Sequence, residues 1–129
     1  MRFHQGLMAV LAAVLWLVTV SGAVSEERIL TYVSDIDVQE DGSLIVTETI
    51  RVRAEGDEIK RGIFRDVPLR AKDANGWEHD VPFELLEVLR DGQRENKFTR
   101  DNGRGVRIYI GREDVFLDPG VYTYTIKYR

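Results

Sequence analysis

The densest group of cationic side chains is Lys60, Arg61, Arg65, Arg70 and Lys72, on a stretch that also carries Ile63 and Phe64. Clustered Lys and Arg gain most where the facing charge is fixed and dense, so this segment would suit an anionic polymer, a lipid headgroup surface or an acidic protein partner. The plainer expectation is a charged edge and loop set against the acidic first part of the same fold, because such charges also guard a sheet edge against unwanted pairing. Residues 26–58 hold 10 acids against 3 bases and residues 59–129 hold 12 acids against 14 bases, so the two parts carry −7 and +2. The chain is electrically polar along its length.

Other residue types that do chemistry are present without the spacing that chemistry needs. Asp73, Asn75, Glu78, His79 and Asp80 offer oxygen and imidazole ligands in one loop. A calcium loop wants ligands at alternating positions with glycine sixth, whereas Gly76 is fourth counting from Asp73. Past residue 23 His79 is the only histidine, so a zinc site of ordinary composition cannot be assembled, and a solvated loop is expected. Ser25, Ser34 and Ser43 lack a nucleophile-elbow sequence, and with 22 carboxylates the presence of a pair at glycosidase separation discriminates nothing. Gly103, Gly105 and Gly111 lack the strand, loop and helix order of a phosphate site and are expected to serve turns. Trp77, Tyr109, Tyr122, Tyr124 and Tyr128 would make a stacking surface for sugar or peptide if exposed, but alternation puts Tyr122, Tyr124 and Tyr128 on one side, which favours a core lining for that face. No catalytic, cofactor-binding or metal-ligating residue is assigned, and no cofactor is expected.

The elements that position these residues begin after a leader. Arg2 precedes an uncharged run from Leu7 to Val20, and Ser21 and Ala23 are the small residues a signal peptidase needs before its cut. Residues 1–23 are therefore expected to be an export signal, with an uncleaved anchor as the alternative. Removing 23 residues from 129 leaves 106, enough for one domain, residues 24–129, with a net charge of −5. That acid excess disfavours nucleic acid as a partner. Cysteine is absent, so disulfide scaffolds, thiolate metal sites and cysteine nucleophiles are excluded.

Beyond residue 25 the chain alternates in strand fashion between turn residues. Residues 29–38 and 43–54 flank Asp41-Gly42 and predict a hairpin. Leu44, Val46, Ile50 and Val52 share one face of its second strand and Glu48 breaks that apolar row. Residues 62–68 predict a short extended piece, 71–76 a loop, 97–99 a short strand, and 106–110 and 121–129 further strands. Residues 77–90 are ambiguous. Their apolar phase changes as a bulge at Leu85 and Leu86 would change it, yet ELLEVLR also suits a helical turn. Six or seven strands point to an all-β, immunoglobulin- or fibronectin-like sandwich, with a small β-barrel as the alternative. Tyr122, after Asp118 and Pro119-Gly120, is positioned to return its hydroxyl to nearby backbone in a tyrosine corner or simply to pack.

The stretches SDIDVQEDGSLIVTETIRVRAEGDEIKRGIFRDVP and IYIGREDVFLDPGVYTYTIKYR resemble the N-terminal part of bacterial predicted membrane proteins in domain-of-unknown-function family 2207. The resemblance spans nearly all of residues 26–129. It implies a longer parent with an exported β-domain in front and transmembrane helices further on, and it implies no reaction. The expectation is thus a non-catalytic extracytoplasmic binding or structural module. Its partner would be a cell-envelope protein, an anionic polymer or lipid surface, or the remainder of its own chain. The alternative is a cell-envelope carbohydrate-active enzyme or its accessory domain.

Overall fold

The computed structural model describes residues 26–129, so the leader expected at 1–23 lies outside the described residues. Ten strands follow one another: β1 Arg28–Val38, β2 Leu44–Ala54, β3 Gly62–Pro68, β4 Arg70–Lys72, β5 Glu78–Asp80, β6 Leu85–Arg90, β7 Gln93–Arg94, β8 Lys97–Asp101, β9 Gly105–Gly111 and β10 Gly120–Tyr128. All pairings are antiparallel. They build a five-stranded sheet in the order β1-β2-β10-β6-β7, a three-stranded sheet in the order β3-β9-β8 and a β4-β5 ribbon. β4, β5 and β7 exceed the six or seven strands expected, because segments so short and polar leave no alternating apolar signal.

The apolar rows of the two larger sheets share one core. Ile50, Val52, Val88, Tyr124 and Ile126 of the five-stranded sheet join Val67, Ile108 and Ile110 of the three-stranded sheet in a single buried cluster. Each such side chain contributes about 2 kcal/mol on burial, against about 0.5 kcal/mol for an exposed ion pair, so packing between the sheets dominates. A closed barrel, the alternative drawn from the sequence, is not formed. The strands divide into separate sheets with free edges because the facing apolar rows are buried by stacking rather than by closing the hydrogen-bond ring.

Local chemistry explains most element ends. Gly42 takes φ +82° in the β1–β2 turn, where its N–H bonds the Gln39 carbonyl. Asp91 and Gly92 form a two-residue loop with φ of 50° and 78°, the left-handed pair a tight hairpin requires. Residues 85–90 form a strand and not a helical turn, and Leu86 is skipped where the β6–β10 register moves from Glu87↔Lys127 to Leu85↔Tyr128. The expected bulge is therefore present. The Tyr122 hydroxyl donates to the Asp118 carbonyl at 2.6 Å, so of the two alternatives for DPGVY the backward bond is the one formed. Tyr124 is fully buried, and burial pushes its hydroxyl up to about 12.

Candidate functional site

The five cations of the 60–72 segment do not form one surface. Arg65 shares the inward side of β3 with Ile63 and Val67, whose partners on β9 are Ile110 and Val106, and there it meets Glu48 from the facing sheet. Arg65 Nε bonds Glu48 Oε2 and Nη2 bonds Oε1, both at 2.7 Å. Tyr32 and Tyr128 donate their hydroxyls to the same Oε1 at 2.6 and 3.0 Å, and the third Arg65 nitrogen, Nη1, bonds the Asp66 carbonyl. Glu48 is 2% exposed. Burial alone would raise its carboxyl, but the bonds from Arg65 and Tyr32 outweigh that and hold it below the usual carboxylate range. The break in the apolar row of β2 is thus an ion pair tying the two sheets together.

Arg70 and Lys72 face Asp80 and Glu78 across the β4–β5 ribbon at 3.4 and 3.9 Å, so both are exposed but paired. Of the loop ligands between them, Asp73 accepts backbone bonds from Asn75 and Trp77 and lies 3.0 Å from His79 Nε2. Among the described residues no group of three or more His, Cys, Asp or Glu side chains is arranged to hold a metal ion. The Ser43 hydroxyl is committed to Asp41 at 2.6 Å.

Lys60 and Arg61 remain beside the outer face of the three-stranded sheet, where the structure gathers Phe64 and Tyr109, both named from the sequence, with Phe98, Arg100 and Arg107, which were not. Antiparallel register sets Phe64, Tyr109 and Phe98 in one row across β3, β9 and β8, with Asp66, Arg107 and Arg100 in the next. Outward parity along each strand follows from inward burial of Val67, Ile108 and Ile110. Phe98 and Tyr109 stack at 4.6 Å between centroids, and Phe64 lies 6.4 Å from Tyr109. Phe64 remains 57% exposed and Phe98 39%. Arg107 lies 4.2 Å over Phe64 while its guanidinium holds Asp66 through two bonds of 2.7 Å, which lowers the Asp66 carboxyl and raises Arg107. Arg100 lies over both Phe98 and Tyr109, and Arg61 lies 4.3 Å over Phe116. Neither Arg61 nor Arg100 has an ion pair among the described residues, and the same holds for Lys60.

Two glycines make room beside this row. Gly62 and Gly111 are register partners, and a Cβ on Gly62 would sit 1.8 Å from the Ile110 carbonyl oxygen while one on Gly111 would sit 2.2 Å from that of Arg61. Their close backbones help line an open groove of about 410 Å³, bordered by Lys60, Arg61, Phe64, Phe98, Arg100 and Tyr109. The loop carrying the cations is pinned from a distance. The Glu27 carboxylate accepts backbone N–H bonds from Glu55, Asp57, Glu58 and Ile59 at 2.6 to 3.3 Å. Partial desolvation would raise this carboxyl, but the four donors bring it down to about 2. Nothing in the sequence marked Glu27, because a carboxylate before a strand has no local signature of a partner some thirty residues away.

Aromatic faces flanked by cations without carboxylate partners can stack a sugar ring while pairing an acid group on it. The surface offers contact and charge pairing, and Glu58 and Glu113 also line the groove, so its charge is mixed, with the cations in excess.

Comparison with known proteins agrees on ancestry and is silent on activity. Residues 28–129 match the family model described as "Predicted membrane protein (DUF2207) N-terminal domain". The chain is 30% identical over 104 residues to "Uncharacterized protein YciQ" of Escherichia coli (strain K12). That alignment covers 81% of this chain but 16% of the relative, so the chain spans a minor part of the relative's length. No solved structure matches.

Proposed function

The chain belongs to the family of DUF2207 predicted membrane proteins, as their N-terminal domain, and from that premise we propose that it is a non-catalytic extracytoplasmic module that binds an anionic carbohydrate polymer of the cell envelope. An N-terminal domain of a predicted membrane protein accords with export to the extracytoplasmic side. The reading includes an immunoglobulin-like sandwich, supported by the common core of the two sheets and by the Tyr122–Asp118 bond.

One observation carries the proposal: Phe64, Tyr109 and Phe98 stand in register on an outward sheet face, next to Lys60, Arg61 and Arg100. Aromatic rings gain from the apolar faces of sugars, and the cations supply charge pairing that a neutral glycan would not use. Of the 60–72 segment, Lys60 and Arg61 take part in this contact, whereas Arg65, Arg70 and Lys72 are engaged with Glu48, Asp80 and Glu78.

Calorimetric titration with polygalacturonate, neutral dextran and anionic vesicles at low and high salt tests the reading. Polygalacturonate is expected to bind, and to bind more weakly as salt rises. Dextran is expected to bind at least about tenfold more weakly, since the charged contacts are lost. Binding to vesicles alone, or polymer binding indifferent to salt, would overturn it.

A further inference from the structure

A second contact surface lies on the other sheet. β1 ends the five-stranded sheet, paired to β2 along one side and to no strand among the described residues along the other. Ten of its eleven residues are exposed. A bulge near Leu30 interrupts its register, after which residues 31–38 run without a break. Such a long open edge leaves backbone donors and acceptors unpaired, and proteins ordinarily blunt one.

The two faces of this edge differ in chemistry. Ile36 and Val38 pair with Val46 and Leu44 on the core-facing side, yet remain 58% and 69% exposed, and Leu44 is 45% exposed. On the opposite side Asp35 and Asp37 pair with Thr47 and Ile45. Neither carboxylate forms an ion pair among the described residues, and Asp37 accepts one bond, from Gln39 Nε2 at 3.0 Å.

We propose that the free edge of β1 accepts an extended peptide that alternates apolar and cationic side chains, the apolar ones covering Ile36 and Val38 and the cationic ones meeting Asp35 and Asp37. Edge addition draws its affinity from main-chain bonds and its selectivity from alternate side chains, and both are available here. Charge complementarity selects this occupant over a second copy of the chain. Antiparallel self-pairing of residues 31–38 would bring the Asp35 and Asp37 carboxylates of both copies close together, which is unfavourable across a sheet.

The test uses the full chain and three synthetic peptides of about eight residues, matched to the unbroken run of β1. One alternates Val and Lys, one alternates Val and Glu, and one is the Val-Lys peptide with alternate backbone amides methylated. Fluorescence anisotropy reads affinity and hydrogen exchange reads protection of the β1 amides. The Val-Lys peptide is expected to bind and protect β1, and the other two to bind at least about tenfold more weakly. Combined Asp35→Asn and Asp37→Asn substitution is expected to weaken Val-Lys binding about fivefold at low salt, as two exposed ion pairs allow. Equal binding of the Val-Glu peptide, indifference to methylation, protection elsewhere, or concentration-dependent self-association that protects β1 without peptide would each overturn the proposal. Arg100→Ala leaves this edge untouched, so failure here and failure of the carbohydrate reading are separable.

Discussion

At the scale of single residues, the feature with the largest stakes is Glu48. A buried carboxylate without its cation is costly, whereas a buried pair replaced by apolar groups of similar size is often neutral. Glu48→Ala is therefore expected to lower stability by about 3 kcal/mol, and Glu48→Leu combined with Arg65→Met to recover most of that loss. Urea denaturation of the two variants checks both numbers, and equal losses would mean the pair itself stabilises the fold. Glu27 sets a pH dependence. Its folded carboxyl titrates at about 2 against an ordinary 4.5, so the unfolded chain binds more protons between those values. The stability it contributes is complete above about 4.5 and is lost as pH falls towards 2. Denaturation midpoints across that window are expected to fall less steeply in Glu27→Gln. The sequence exposed Glu48 as a charge inside an apolar row, but its partners come from β1, β3 and β10, separations of 16, 17 and 80 residues that no local pattern encodes.

At the scale of elements, the hairpins and faces were legible because their causes are local. Alternation in residues 44–54 reads directly as burial, the turns at Asp41-Gly42 and Asp91-Gly92 rest on the left-handed backbone of Gly42, Asp91 and Gly92, and the phase change at Leu85 and Leu86 marks a bulge. The pairing of β3 with β9 was not legible, since it joins residues 37 to 49 positions apart. Gly62 and Gly111, which the sequence left as turn glycines or passed over, are where that pairing is tightest. Gly111→Ala must move backbone, because its Cβ would meet the Arg61 carbonyl oxygen at 2.2 Å, while Gly42→Ala meets nothing within 4 Å and bears only its left-handed φ. Gly42→Ala is expected to cost about 1 kcal/mol. Gly111→Ala is expected to cost more, about 3 kcal/mol. Thermal unfolding of the pair orders them, and a smaller loss at Gly111 would show that the β3–β9 approach is not tight.

At the scale of the whole molecule, two sheets sharing one core leave each with an outward face, and those faces differ. Most of the acid excess of residues 26–58 comes from Glu26, Glu27, Glu55, Asp57 and Glu58, at the two ends of the first hairpin, and the aromatic and arginine rows lie on the three-stranded sheet. The sequence showed that polarity and the segment beginning at Lys60. It could not show which cations are free, because pairing with Glu48, Asp80 and Glu78 is a consequence of tertiary placement. The central claim is that the outer face of β3-β9-β8 binds an anionic glycan, and amide chemical-shift mapping of the full chain during titration with oligogalacturonate tests it most directly. Shifts concentrated at Phe64, Phe98, Arg100 and Tyr109, reduced by salt and by Arg100→Ala, are the predicted result. Shifts absent from that face, or unchanged by both salt and Arg100→Ala, would contradict it.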